Sequence, residues 1–203
     1  MKRRDALKNL GLATGFFVAT PAIVSLLQSC TSEVKTWIPE FISTEQGVVL
    51  TNMVDIILPK TEKLPSAIEL NIPQFIDKFI NETYDDEDQA HVKTAFNTIV
   101  TILKTNLKEE ESVDKLTEAH YKSLLDNYML IKEDIDEERE ANPESLEMTK
   151  SEFLNMIKWL TVNAYVNSEE IGKNVLVYDP IPSQYYCGDL QELTGGKSYS
   201  PTR

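Results

Sequence analysis

Thr149-Lys150-Ser151-Glu152-Phe153-Leu154-Asn155-Met156-Ile157-Lys158-Trp159-Leu160-Thr161-Val162-Asn163-Ala164-Tyr165 is the stretch whose spacing decides the fold class. Phe153, Met156, Ile157, Leu160 and Ala164 recur at intervals of three and four, the period of one face of an α-helix. Thr149 or Ser151 can cap its first turn, and Glu152 lies where a negative charge complements the helix dipole. Trp159, Val162 and Tyr165 widen the apolar face beyond one stripe, which predicts a helix at the centre of a core.

Upstream of this segment the same period recurs. Ser43 and Gln46 fit a capping box, and Val49, Met53, Ile56 and Ile57 then share a face until Pro59 ends the helix. Pro73 suits a first helical turn, followed by Phe75, Ile76, Phe79 and Ile80. Asp85-Asp86-Glu87-Asp88 resembles the start of a calcium loop, but Ala90 stands at the turn position and Phe96 at the closing position, so the pattern fails. One aspartate capping the next helix fits better. That helix is predicted from about Glu87 to Leu107, with Val92, Ala95, Phe96, Ile99, Leu103 and Leu107 on one face. A further helix is predicted from about Glu118 to Glu140, with Tyr121, Leu124, Leu125, Tyr128 and Ile135 as its stripe; its acidic end from Glu133 to Glu140 reads as a solvated helix end or a mobile loop, and Asn142-Pro143 breaks it. Downstream, Ser168 to Gly172 reads as a short turn. Tyr178 to Gly188 is rich in Pro and Tyr and reads as extended coil. The expectation is an all-α, single compact domain of five or six helices over residues 44–203, with an extended Pro/Tyr-rich C-terminal tail.

The first 30 residues follow another logic. Lys2, Arg3, Arg4 and Lys8 precede a run from Asn9 to Ser32 without charge, which contains Leu27-Gln28-Ser29-Cys30. A basic start, an apolar middle and a small residue before a cleavage point describe an export signal over residues 1–29. Arg3, Arg4, Leu7 and Lys8 look like a twin-arginine signal, with ordinary Sec export as the alternative. Leu27-Gln28-Ser29-Cys30 resembles a lipobox, which makes Cys30 the lipid attachment point and residues 30–43 a tether. An uncleaved membrane anchor and a buried core helix are the competing readings. The anchor gives the same topology, with everything after Cys30 outside the cytoplasm.

Charge and composition exclude several functions. The net charge is −13, and removing the +3 carried by residues 1–29 leaves about −16, which argues against a nucleic-acid partner. The chain has two cysteines; with Cys30 lipidated, Cys187 has no partner for a disulfide and reads as a buried thiol. His91 and His120 lie at predicted helix starts in polar surroundings, and no HExxH or Cys/His cluster suggests a metal. There is no GxSxG, CxxCH or GxGxxG. No catalytic, cofactor-binding or metal-binding residue is assigned.

Several short motifs occur together in order: Arg3-Arg4-Asp5-Ala6-Leu7-Lys8, Thr20-Pro21-Ala22 with Leu26 to Cys30, Ile56-Ile57-Leu58-Pro59-Lys60-Thr61, Asn71-Ile72-Pro73-Gln74-Phe75-Ile76-Asp77, and Tyr178-Asp179-Pro180-Ile181-Pro182-Ser183-Gln184-Tyr185-Tyr186-Cys187-Gly188. Together they resemble the gluconate 2-dehydrogenase subunit 3 family, the small subunit of membrane-bound dehydrogenases, over nearly the whole chain. The resemblance implies a non-catalytic partner of a large flavoprotein dehydrogenase of the glucose–methanol–choline type. FAD would sit on that partner and not on this chain, and electrons would pass to a cytochrome c subunit or another acceptor. It implies that the small subunit exports, anchors and stabilises the large one at the cell envelope, on the periplasmic side. Tyr178, Pro180, Pro182, Tyr185 and Tyr186 are the candidate partner interface, since exposed aromatics suit an interface core. Without the resemblance, the same residues fit a stand-alone lipid-anchored interaction or assembly lipoprotein.

Overall fold

The computed structural model describes residues 37–108, 111–178 and 188–200. Five helices of 11 or more residues form the core: α1 Thr44–Ile57, α2 Ile72–Thr83, α3 Asp86–Lys104, α4 Glu118–Tyr128 and α6 Lys150–Val166. Two five-residue helices, α5 Glu137–Ala141 and α7 Leu190–Thr194, and a 3₁₀ turn at Val113–Lys115 complete the set. A wide π turn follows α6 at Ile171–Val175. No strand forms among the described residues; Val177 and Tyr199 make one isolated parallel bridge.

The helices begin where the side chains can satisfy the free amides of a first turn. Ser43 and Gln46 form the expected capping box on α1, Asp85 caps α3 through the Asp88 N–H, and Thr149 with Glu152 forms a capping box on α6. The acidic run at 85–88 is therefore a helix start. Asn71 precedes α2 in the left-handed region at φ 56°, a conformation asparagine tolerates better than most residues, and Pro73 lies in the first turn.

As expected, α6 is central: it packs against α1, α2, α3 and α4. The other hub is α1, which touches the same helices and the 3₁₀ turn. Phe153, Leu154, Ile157 and Leu160 of α6 meet Val49, Leu50, Met53 and Val54 of α1 and Phe96, Ile99 and Leu103 of α3 in the buried core. The Phe96 and Phe153 rings lie 5.1 Å apart in a tilted pair.

Several inward assignments are corrected. Trp159 (59 % exposed) and Val162 lie on the solvent side of α6 and do not widen its core face. On α1, Leu50 and Val54 take the buried places, while Ile56 and Ile57 are half-buried. On α2, Phe75 is 49 % exposed, and it stacks on half-buried Phe79 with centroids 5.7 Å apart. The long helix expected to reach Glu140 stops at Tyr128. A loop intervenes, in which Asp134 accepts the Ile131 N–H, and Asp136 then caps α5 by accepting from the Glu138 and Arg139 amides. Ile135 is consequently exposed. Asp134 and Asp136 offer the backbone bonds that compete with continued helix.

The tether expected up to Ser43 ends earlier. Phe41 and Ile42 are buried, and the compact unit begins at Ile38. Asp77 holds this segment. Its side chain is 1 % exposed, and its two oxygens accept the N–H groups of Glu40 at 2.7 Å, Phe41 at 3.1 Å and Ile42 at 2.9 Å. The Lys93 ammonium lies 4.5 Å from the Phe41 ring centroid on the same segment. Past the Tyr178–Gly188 stretch, of which residues 179–187 lie outside the described residues, α7 forms with Asp189 as its cap.

Candidate partner-binding surface

The N-terminal half of α6 carries a strapped-on segment. Arg139 of α5 reaches back to Glu152 in a bidentate pair, Nε to Oε1 at 2.9 Å and Nη2 to Oε2 at 2.6 Å. Its remaining donors go to the carbonyls of Asn142, Ser145 and Glu147. One planar guanidinium thus holds the whole connection from α5 to α6 in shape, as its fixed fork of donors permits. Thr149 donates to Asp136, Lys150 pairs with Glu138 at 2.8 Å, and the Asn155 amide donates to the carbonyls of Ser151 and Leu130.

The hydrogen bond from Arg139 holds the Glu152 carboxyl below the usual carboxylate range, and the Arg139 pKa is raised in return. Because the folded value of Glu152 is the lower one, its contribution to stability is complete above about pH 4.5 and is lost as pH falls through the lowered value. Glu152→Gln is expected to flatten the acid side of the stability profile, read by urea melts in a pH series; an unchanged acid limb would show that the pair contributes nothing.

Between this segment and α6 lies a groove of about 370 Å³, lined by Leu130, Ile131, Lys132, Asp134, Asp136, Ser151, Asn155 and Lys158. A second hollow of about 380 Å³ shares Leu130, Asp136 and Ser151 with it and is also lined by Ile135. Ile131 (64 % exposed) and Ile135 stand in solvent at their rims. Along α6 the surface continues through Trp159 and Val162, which follow Asn155 and Lys158 by one turn each. Sequence reasoning missed this face, although the signal was present: Trp159 is four residues from Asn155 and four from Asn163, so it projects from the polar side of the helix.

Of the sequence-predicted interface residues, Tyr178 is described and is half-exposed, beside the bridge in which the Val177 N–H donates to Ser198 and the Ser200 N–H donates to Val177. Pro180, Pro182, Tyr185 and Tyr186 lie outside the described residues, as do Cys187, Cys30 and the export-signal residues Arg3, Arg4, Leu7 and Lys8.

His120 is the N3 residue of α4, and its Nδ1 accepts the Thr117 N–H, while His91 lies 4.0 Å from Glu87 on α3. His120 thus serves the start of α4, and His91 lies in the second turn of α3. Burial, with Asp114 adding to it, pushes the Tyr121 phenol up to about 12, so it stays neutral. Among the described residues no three His, Cys, Asp or Glu side chains cluster to hold a metal, and no helix is long and apolar enough to cross a membrane.

No curated protein and no solved structure matches the chain. The profile of the family described as gluconate 2-dehydrogenase subunit 3 matches residues 44–182, from the first residue of α1 into the Pro/Tyr-rich stretch and through every core helix. That match spans more than half of the chain, and the chain belongs to the gluconate 2-dehydrogenase subunit 3 family.

Proposed function

We propose that this chain is the non-catalytic accessory subunit of a dehydrogenase complex, which exports, anchors and stabilises a large catalytic flavoprotein at the cell envelope. The observation that carries the reading is the family match over residues 44–182, because the family is described as a subunit of gluconate 2-dehydrogenase. The described residues support an architectural part: a helical core in which the buried Asp77 and Thr149 side chains hold a neighbouring segment and a helix start. In this reading FAD and the oxidation of a sugar, sugar acid or polyol belong to the large subunit, and a cytochrome c subunit or another acceptor takes the electrons. Cys30 carries the lipid, Arg3, Arg4, Leu7 and Lys8 direct export, and Tyr178, Pro180, Pro182, Tyr185 and Tyr186 contribute to the subunit interface.

A lipid-modified Cys30 with two or more acyl chains would hold the complex stably, whereas a single chain binds only marginally. Two measurements test the proposal in the native host. The tagged full chain, isolated gently from envelopes, is expected to bring down a larger chain with flavin absorbance. Cys30→Ala is expected to shift both chains from the membrane fraction or leave an unprocessed precursor. Isolation of the chain alone sinks the subunit assignment; unchanged processing and attachment of the Cys30→Ala variant sinks the lipid site.

A further inference from the structure

Resting on the subunit reading above, we propose that the outward face of α6 with its adjoining groove is a docking surface for the catalytic subunit, built from other residues than the Tyr178 stretch. The surface joins Ile131, Asn155, Lys158, Trp159 and Val162. Trp159 is the largest exposed apolar side chain on the helix around which the core is built, so it is presented rigidly. Tryptophan in that setting suits the energetic centre of an interface. The loop that supplies Ile131 is fixed to the same helix by the bond from Asn155 to the Leu130 carbonyl, which spares much of the ordering cost of association.

Charge indicates the occupant. The groove's two aspartates and two lysines balance in formal charge, but the oxygens of Asp134 and Asp136 already bond the chain's own amides and the Thr149 hydroxyl. Lys132 and Lys158 make no ion pair among the described residues. In a chain of net charge −13 they offer attachment to a partner carboxylate beside an apolar contact. A second copy of this chain would bring two strongly acidic bodies together, and their like-charge repulsion disfavours that occupant. The fitting occupant is an apolar segment of the catalytic subunit that also carries a carboxylate: apolar atoms against Trp159, Val162 and Ile131, and the acid toward Lys158.

The test uses the full chain isolated from envelopes and the dehydrogenase subunit, identified by mass spectrometry and flavin absorbance, recovered from the wild-type complex. Trp159→Asp with Val162→Asp is expected to bind that subunit roughly 30-fold more weakly or worse, the scale of losing an interface hot spot. Helical content should be kept and the melting temperature lowered modestly, since both side chains are part-exposed and aspartate is a weaker helix former; binding is compared at a temperature where both proteins are folded. Lys158→Glu, a milder change, should weaken binding with a reduced salt dependence. Tyr178→Ala serves as the comparison for the separate stretch. Unchanged binding of both the double variant and Lys158→Glu overturns the surface while leaving the subunit reading intact. A wild-type self-dimer that the double variant breaks, with subunit binding preserved, overturns the occupant. Failure of the wild-type chain to bring down any dehydrogenase subunit overturns the subunit reading and this surface with it.

Discussion

Asp77→Ala is expected to destabilise the domain by roughly 3–5 kcal/mol, because buried amides left without an acceptor cost about 1–3 kcal/mol each. Three amides share this carboxylate, those of Glu40, Phe41 and Ile42, and the last two bonds are fully buried. The segment they belong to also presses Phe41 and Ile42 into the core and leads directly into the Ser43 cap of α1. For a domain of this size the melting temperature should fall by about 10 °C. Asp77→Asn should fall between, since an amide keeps one acceptor oxygen but turns a donor toward a third donor. Residues 38–43 should lose hydrogen-exchange protection in both variants before the rest of α1 does. A melting temperature within a degree of the parent in Asp77→Ala would mean that the segment is held by its side chains alone.

Phe153→Ala is the second large effect, at about 3–5 kcal/mol, the usual range for removing a buried aromatic ring. Phe153 is fully buried in the first turns of α6, and its ring meets Phe96 of α3. The hole would open between the central helix and α3, which is braced by its own packing and cannot collapse inward freely. Phe153→Leu, which keeps most of the volume, should recover over half of the loss. Urea denaturation of the three proteins gives the comparison, and equal stability of the alanine and leucine variants would show that the site relaxes around the change. Natural domains have a total stability of about 5–15 kcal/mol, so either alanine variant places folding at risk.

The same two residues show how legible the chain is from its sequence. Phe153 is legible because periodicity reports position on a helix face, and capping is local chemistry, so the sequence points to the Ser43 box, to one aspartate of 85–88 and to Thr149 or Ser151, of which the structure selects Asp85 and Thr149. Asp77 was invisible. An aspartate within an amphipathic stripe looks like a surface charge, and its partners lie 35 to 37 residues away. The break after Tyr128 combines local and distant partners. Residues up to Glu140 can be written on one helical wheel, but Asp134 and Asp136 offer side-chain acceptors that outcompete further turns, and Arg139 then needs Glu152 from the next helix.

The candidate interface divides in the same way. The stretch from Tyr178 is conspicuous by composition alone, whereas the Trp159 face is not. Tryptophan at helical spacing reads as core beside Val162 and Tyr165, and its exposure is fixed by which sides of α6 the helices α1 to α4 occupy.

By itself the sequence determined the helical class, the helix starts and the centrality of α6. These follow from a period of 3.6 residues and from side chains bonding to amides two or three positions away. Tertiary structure alone decided that Asp77 is buried and that Arg139 closes the α5–α6 connection, and it left uncovered the polar side of α6 on which the spacing places Trp159. Each depends on which distant element occupies a given face, and periodicity tells which residues share a face without telling what covers it.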